Sequence, residues 1–415
     1  MSSKSETGSN LRVDGPRLLQ RLAALGQIGD TGDGGARRLA LSEEDRQGRL
    51  WLMAEMKAIG LTVESDKIGN IFGTLPGREP GPPIMLGSHI DTVGTGGRYD
   101  GAYGVLAGLE ALAVLRDAGM TPRHSICVAA FTNEEGARFQ PDMMGSCVHA
   151  GVLSLEDAYA AKDADGVSVG EAIRAIDAIG PLEPGAIKPR AYLELHIEQG
   201  PVLDSEGPTI GAVTGVQGIR WFEITLEGES NHAGTTPISY RRDPGLVASA
   251  LNVEARTIAD SIPDQRCTVG RMEFTPGQIN VVPKRVTMTL DLRNPSDSHL
   301  DRAETHLKEF LAQTAKAHAV TYSIQETARF AATPFDERLI VAVEGAAKEL
   351  GHATRRMVSG AGHDAQLIAA IAPAAMIFVP SVEGLSHNPR EFTKPDDLIA
   401  GANVLLAATL RLADA

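Results

Sequence analysis

IMLGSHIDTVGTGGRYDGAYGVLAGLEALAVLRDAGMTPRHSICVAAFT, residues 84–132, is a pair of short apolar runs around one long one. Residues 84–89 and 125–132 are β-rich, bounded by Gly and Pro, and read as strands. Between them, residues 101–116 place Val105, Leu106, Leu109, Leu112 and Leu115 at roughly helical spacing. Strand, crossover helix, strand is the unit that joins parallel strands. Working outward, residues 62–66 and 70–75 read as strands before this unit, and 191–197 and 375–382 as strands after it. Residues 339–350 and 398–412 read as helices covering them. The expected fold class is α/β, with a mixed central sheet flanked by helices and built from both ends of the chain.

The middle has another rhythm: strand 220–227, helix 245–261, strands 267–274 and 286–292, helix 300–317, strand 320–325. That order, βαββαβ, predicts a ferredoxin-like α+β sheet with two helices on one face. A chain of 415 residues suits two cores better than one. The boundaries expected are 1–214 with 333–415 for the sheet domain and 215–332 for the insertion. At about 120 residues the insertion is large enough to be a domain.

Hydrophobic residues at 43% and charged residues at 22% are ordinary globular values. A net charge of −14 with no basic run repels a phosphate backbone, which argues against nucleic acid and for a small molecule. Cys127, Cys147 and Cys267 form no C-x-x-C pair, so neither a disulfide framework nor a thiolate zinc site is indicated. The polar first ten residues and the lack of a long apolar run predict no membrane contact and a cytoplasmic location.

Chemistry-bearing residues gather where strands end. His89 closes the strand at 84–89, and Asp91, two positions on, shares its face and is placed to accept the imidazole's second N–H. Asp100 lies in a Gly-rich turn at a helix start, where it can cap the helix, bridge two ions, or do both. Glu134 and Glu135 follow the strand at 125–132, at the sheet edge where ligands of open α/β sheets gather. His196 ends another strand, and His387 stands in the loop after an apolar one. His89, Asp100, Glu135, His196 and His387 make an imidazole and carboxylate set without sulfur, suited to two divalent ions, Zn, Mn, Co or Ni. The economical assignment puts His89 and His196 on one ion and Glu135 and His387 on the other, with Asp100 between.

Five motifs in order, GSHIDT, GGRYDG, NEEGARF, ELHIEQGP and SHNP, resemble those of the hydantoinase/carbamoylase group of dinuclear amidohydrolases, relatives of the M20 metallopeptidases. The resemblance runs from about Leu18 to the C-terminus. It implies the same five metal ligands, Glu134 as general base, and a lid and dimerisation role for the insertion. It also implies that His232, in NHAGTTP, reaches a partner's active site in a homodimer, and that Arg293 holds a substrate carboxylate. Gln217, Asn280 and Gly360 match further substrate contacts. Arg138-Phe139 and Met143-Met144-Gly145-Ser146 look more like enzymes of N-carbamoyl amino acids, N-carbamoyl-β-alanine included, than like allantoate or ureidoglycolate hydrolases.

The activity so implied is hydrolysis of a carbamoyl group to amino acid, ammonia and carbon dioxide by a hydroxide bridging the ions, with Glu134 moving the proton and His232 donating to the oxyanion. An aminoacylase or dipeptidase would use the same metals and base. A non-catalytic metal-binding dimer is opposed by the presence of Glu134.

Overall fold

The computed structural model of the protein describes residues 11–414. Contacts divide the chain into two units. One runs to Gly215 and resumes at Phe335, and the other is Val216–Pro334. The Phe335 N–H donates to the Thr214 carbonyl at 3.0 Å, so the first unit is left and re-entered at neighbouring points.

The first unit is built on a mixed sheet. Its strands lie in the order Thr62–Ser65, Ile71–Leu75, Ile126–Phe131, Ile84–His89, Ala191–Ile197, Ala374–Val379, Ile210–Val216, with Thr354–Ser359 also paired to the last. Ile84–His89 is parallel to both neighbours, and Ala374–Val379 is parallel to Ala191–Ile197. From Ile84–His89 the chain goes first to Ile126–Phe131 on one side and later to Ala191–Ile197 on the other. Such a switch leaves a crevice at the carboxyl ends of the strands, where His89 and His196 lie.

Helix Ala102–Asp117 packs on that strand and against helices Gly15–Gly26 and Pro395–Asp414. It is buried from Ala102 through Leu115, as an all-round apolar helix between layers must be. Its one buried acid, Glu110, is neutralised by Arg17 and Arg21, each at 2.7 Å. Asp14 and Ser42 cap Gly15–Gly26 and Glu43–Ala58 by accepting from the amides of Arg17 and Asp45.

The second unit runs strand Gly218–Glu227, helix Pro244–Ser261, strands Arg266–Thr268 and Met272–Thr275, strand Arg285–Asn294, helix Asp297–Ala317, strand Thr321–Phe330. Across the antiparallel sheet the order is Met272–Thr275, Arg285–Asn294, Gly218–Glu227, Thr321–Phe330. Alternation puts Phe222, Ile224, Leu226, Val286, Met288 and Leu290 on one face, packed on Leu251, Ile258, Leu307 and Leu311 of the helices. Each such burial contributes about 1.5–3 kcal/mol. The single strand expected at 267–274 is two pieces, both paired to Arg285–Asn294. The strand expected to end at 325 continues past a register shift at Glu326 to Phe330. Among the described residues no helix is long and apolar enough to cross a membrane.

Candidate metal centre

Strand ends of the first unit bring five side chains together. His89 Nε2 lies 3.6 Å and His196 Nε2 3.1 Å from Asp100 Oδ1. His387 Nε2 lies 3.3 Å from Asp100 Oδ2 and 3.1 Å from Glu135 Oε2. Each oxygen of Asp100 therefore faces a different set of donors. The atoms of His89, Asp100 and His196 fall within 4.8 Å of one another, as do those of Asp100, Glu135 and His387. Glu134 belongs to neither group, and its Oε2 is 3.3 Å from His89 Nε2.

Hydrogen bonds fix how the imidazoles point. His89 Nδ1 is 3.0 Å from the Asp91 carbonyl and His196 Nδ1 is 2.8 Å from the Ile197 carbonyl. A carbonyl only accepts, so both Nδ1 atoms carry a hydrogen and both Nε2 atoms face the cleft, where each can lend its lone pair to an ion or, when protonated, donate to Asp100.

Two sequence expectations need correcting here. The Asp91 carboxylate stands 3.7 Å from His89 Nδ1 and leaves that hydrogen bond to its own backbone carbonyl. It accepts instead from the amides of Glu134 and Glu135, at 3.2 and 3.3 Å, and so aims the acidic pair. Asp100 caps no helix: the N-cap is Gly101, without a side-chain bond, and Asp100 Oδ2 accepts from Gln199 Nε2 at 2.8 Å and Ser386 Oγ at 3.0 Å. Gly101 is required where it stands, because its φ is 61° and a Cβ there would overlap the His89 ring. Asn133, Gln199 and His387 also have left-handed backbones, with φ of 54°, 58° and 53°. For residues with a Cβ this strain costs about 1–3 kcal/mol each and collects at functional sites.

Electrostatics favour a cation. Burial, reinforced by Asp364, Glu135 and Asp100, holds the Glu134 carboxyl well above its ordinary value despite the pull of His89. Burial likewise raises Asp364 well above the usual range, Glu391 to about 7 and Asp91 to about 6. Asp100 goes the other way: burial is outweighed by hydrogen bonds to His196, His387 and His89. Those to Asp100 and Glu135 raise His387 to about 10. Despite burial, the neighbouring carboxyl groups also raise His89 and His196, so acids and imidazoles crowd around protons that a cation would replace. Glu135 Oε1 is buried without a hydrogen-bond partner among the described residues. The donors, lone-pair imidazole and carboxylate without thiolate, fit divalent ions.

A cavity of about 120 Å³ is lined by His89, Asp100, Glu134, Glu135, His196 and His387, with Asp142, Gln199, Ala361, Gly362 and His363 completing it. Gly360, which precedes Ala361 in the chain, is not among those residues. Arg138 is turned away, bonded to Asp163 and to the carbonyls of Ala40 and Leu41, and Phe139 is core, so neither touches the cavity. The remaining expected residues belong to Val216–Pro334. There His232 pairs with Val281, and the Ala233 amide bonds the Asn280 carbonyl at 2.9 Å. His232 Nδ1 accepts from the Gly234 and Thr235 amides, which leaves the hydrogen on Nε2. Gln217 Oε1 accepts from Arg266, itself the cross-strand neighbour of Arg293.

Sequence reasoning missed Gln199, His363, Ser386 and Glu391. Gln199 and Ser386 stand in motifs quoted above and carried a signal, and His363 lies three residues after Gly360. The His363 ring packs 4.6 Å from that of His196, and burial keeps it neutral, with its pKa well below the ordinary value.

Residues 85–411 match the model of peptidase family M20/M25/M40. The chain belongs to that family. M20 relatives include the N-carbamoyl-L-amino-acid amidohydrolase of Rhizobium meliloti, 41% identical over 98% of each chain. The allantoate amidohydrolase of Bacillus subtilis is 38% identical over 94% of this chain and 95% of its own. Among solved structures, a hydantoinase/carbamoylase family amidase from Burkholderia multivorans superposes with a TM-score of 0.95 at 43% identity, over 98% of this chain and 99% of its own. This M20 protein is accordingly a hydrolase of C–N amide bonds.

Proposed function

We propose that the chain hydrolyses N-carbamoyl amino acids, substrates that carry a carboxylate, to amino acid, ammonia and carbon dioxide. The observation that carries this reading is Asp100, shared between two donor groups with Glu134 beside them. His89, Asp100 and His196 would hold one divalent ion, and Asp100, Glu135 and His387 the other. When bound, such ions supply Lewis acidity, which makes a water acidic near neutral pH and draws electrons from a carbonyl. Glu134 takes the proton of the attacking water and returns it to the leaving nitrogen. Asp91 holds the Glu134 backbone in place for both transfers. His232 Nε2–H donates to the developing oxyanion, and Arg293 grips the substrate carboxylate, with Gln217, Asn280 and Gly360 as further substrate contacts.

We read Val216–Pro334 as a ferredoxin-like lid and dimerisation domain, a reading supported by its strand order and by the exposed Trp221, Tyr322 and Phe330 on its sheet. In a homodimer of that kind His232 serves the partner's site. Mixing Glu134→Gln and His232→Ala subunits should then restore activity to roughly a quarter of wild type, since random pairing makes about half the dimers mixed and each of these has one intact site. No recovery in confirmed mixed dimers would reject the shared site.

The substrate assignment is tested by ammonia release from N-carbamoyl-L-amino acids, N-carbamoyl-β-alanine and allantoate, after chelation and add-back of Zn, Mn, Co and Ni. Activity should vanish on chelation, return with metal and be greatest on an N-carbamoyl amino acid. Highest turnover on allantoate would favour instead an allantoate or ureidoglycolate amidohydrolase, the alternative that the Bacillus subtilis relative supports.

A further inference from the structure

We infer that Glu391 is a positioning residue that clasps the outer half of the metal centre, fixing Asp100 and His387 so that the Glu135, Asp100, His387 group can hold its ion. The inference rests on the metal reading above. Glu391 is 6% exposed. Its Oε1 accepts from the amides of Tyr99 and Asp100, at 2.9 and 3.2 Å, the backbone that carries the shared carboxylate. Its Oε2 accepts from Ser386 Oγ at 3.0 Å, and the same hydroxyl stands 3.0 Å from Asp100 Oδ2. One carboxylate thus ties the turn of Asp100 to the loop of His387. Gly97 makes the room for it, because a Cβ at that position would overlap Glu391 Oε1 and Cδ.

The two donor groups depend on this clasp unequally. His89 and His196 stand on inner strands with side chains 2% and 1% exposed, and each is oriented by a backbone carbonyl. His387 is 51% exposed and stands on a loop with a left-handed backbone. What Glu391 holds still is therefore the group that the sheet does not. The Ser386 hydroxyl has one hydrogen for two carboxylates, but the two amide bonds to Glu391 persist whichever one it serves.

Calorimetric titration of chelated protein with Mn²⁺ or Zn²⁺, with bound metal counted by elemental analysis, tests this. Wild type should bind two ions. Glu391→Ala and Gly97→Ala should bind one ion about 10–100-fold more weakly, the loss typical when a group orienting a metal ligand is removed, and the other, which shares Asp100 but keeps His89 and His196, with a distinctly smaller loss. Glu391→Gln should keep both, since its carbonyl oxygen can accept the same two amides while its NH₂ donates to Ser386, whose hydrogen then goes to Asp100. Two ions at wild-type affinity in both alanine variants, or equal loss of both ions, would overturn the proposal. If melting of the metal-free protein shows Glu391→Ala unfolded, Gly97→Ala decides, because it keeps the carboxylate and only displaces it. A wild type that binds no ion sinks the metal reading itself, an outcome distinct from two ions held equally by every variant.

Discussion

Glu134→Gln lowers turnover by at least about a hundredfold and leaves the metal content at the wild-type level. The substitution preserves shape and hydrogen-bonding reach, and the Asp91 carboxylate still fixes the backbone at residue 134. What it removes is the ability to accept a proton. Because Glu134 belongs to neither donor group, its loss should not release an ion. Steady-state ammonia release and elemental analysis of the same preparation check both halves. A variant that keeps most of its kcat, or that loses metal, would mean the roles of Glu134 and Glu135 have been assigned the wrong way round.

Arg293→Ala should cut kcat/KM for carboxylate substrates by about a hundredfold, the loss expected when a charge-assisted pair of parallel hydrogen bonds is removed. The side chain leaves strand Arg285–Asn294 braced by Asp291, whose Oδ2 accepts from Nε at 2.9 Å, and its guanidinium carbon lies 6.0 Å from the Trp221 ring centre. Bracing at Nε orients the rest of the planar fork. The discriminating measurement uses an amide analogue of the substrate, which should be poor for wild type and lose little more in the variant. Equal proportional losses on carboxylate and amide would make the Asp291 pair structural and remove Arg293 from recognition.

How far the sequence spoke depended on whether a residue's partner was close along the chain or distant. The strands around residues 84–132 were legible because apolar runs, turns and helical spacing are local signals. Strands Ile210–Val216 and Thr354–Ser359 were not, and the latter, TRRMVS, has the polarity of an edge strand with few neighbours. Helix Gly15–Gly26 carried an Asp cap and an early Pro that went unread. At the site, the side chains that gather and their places near strand ends could be read, but the bonds that hold them could not. Asp91 and Glu391 act on backbone amides, which every sequence offers everywhere, so the spacing from His89 pointed to Asp91 but to the wrong partner, and nothing pointed to Glu391. Asp100 was ambiguous for the opposite reason: the Gly-rich turn that suits a cap also suits a ligand, and only the N-cap at Gly101 and the carboxylate's own partners exclude the cap.

The chain leaves Thr214 and comes back at Phe335 through an opening one hydrogen bond wide. A segment spliced through so narrow a doorway asks little of its host, because the ends it must hold together are already joined in the sheet. On the reading proposed here, Gln217, Asn280 and Arg293, which recognise the substrate, travel through that doorway as one contiguous piece, while Glu134 and the ligand set stay with the sheet. Inheritance can then act on the two separately: a lineage exchanges what it binds by replacing a cassette that brings its own oxyanion donor, His232, and keeps the base and the ligand set.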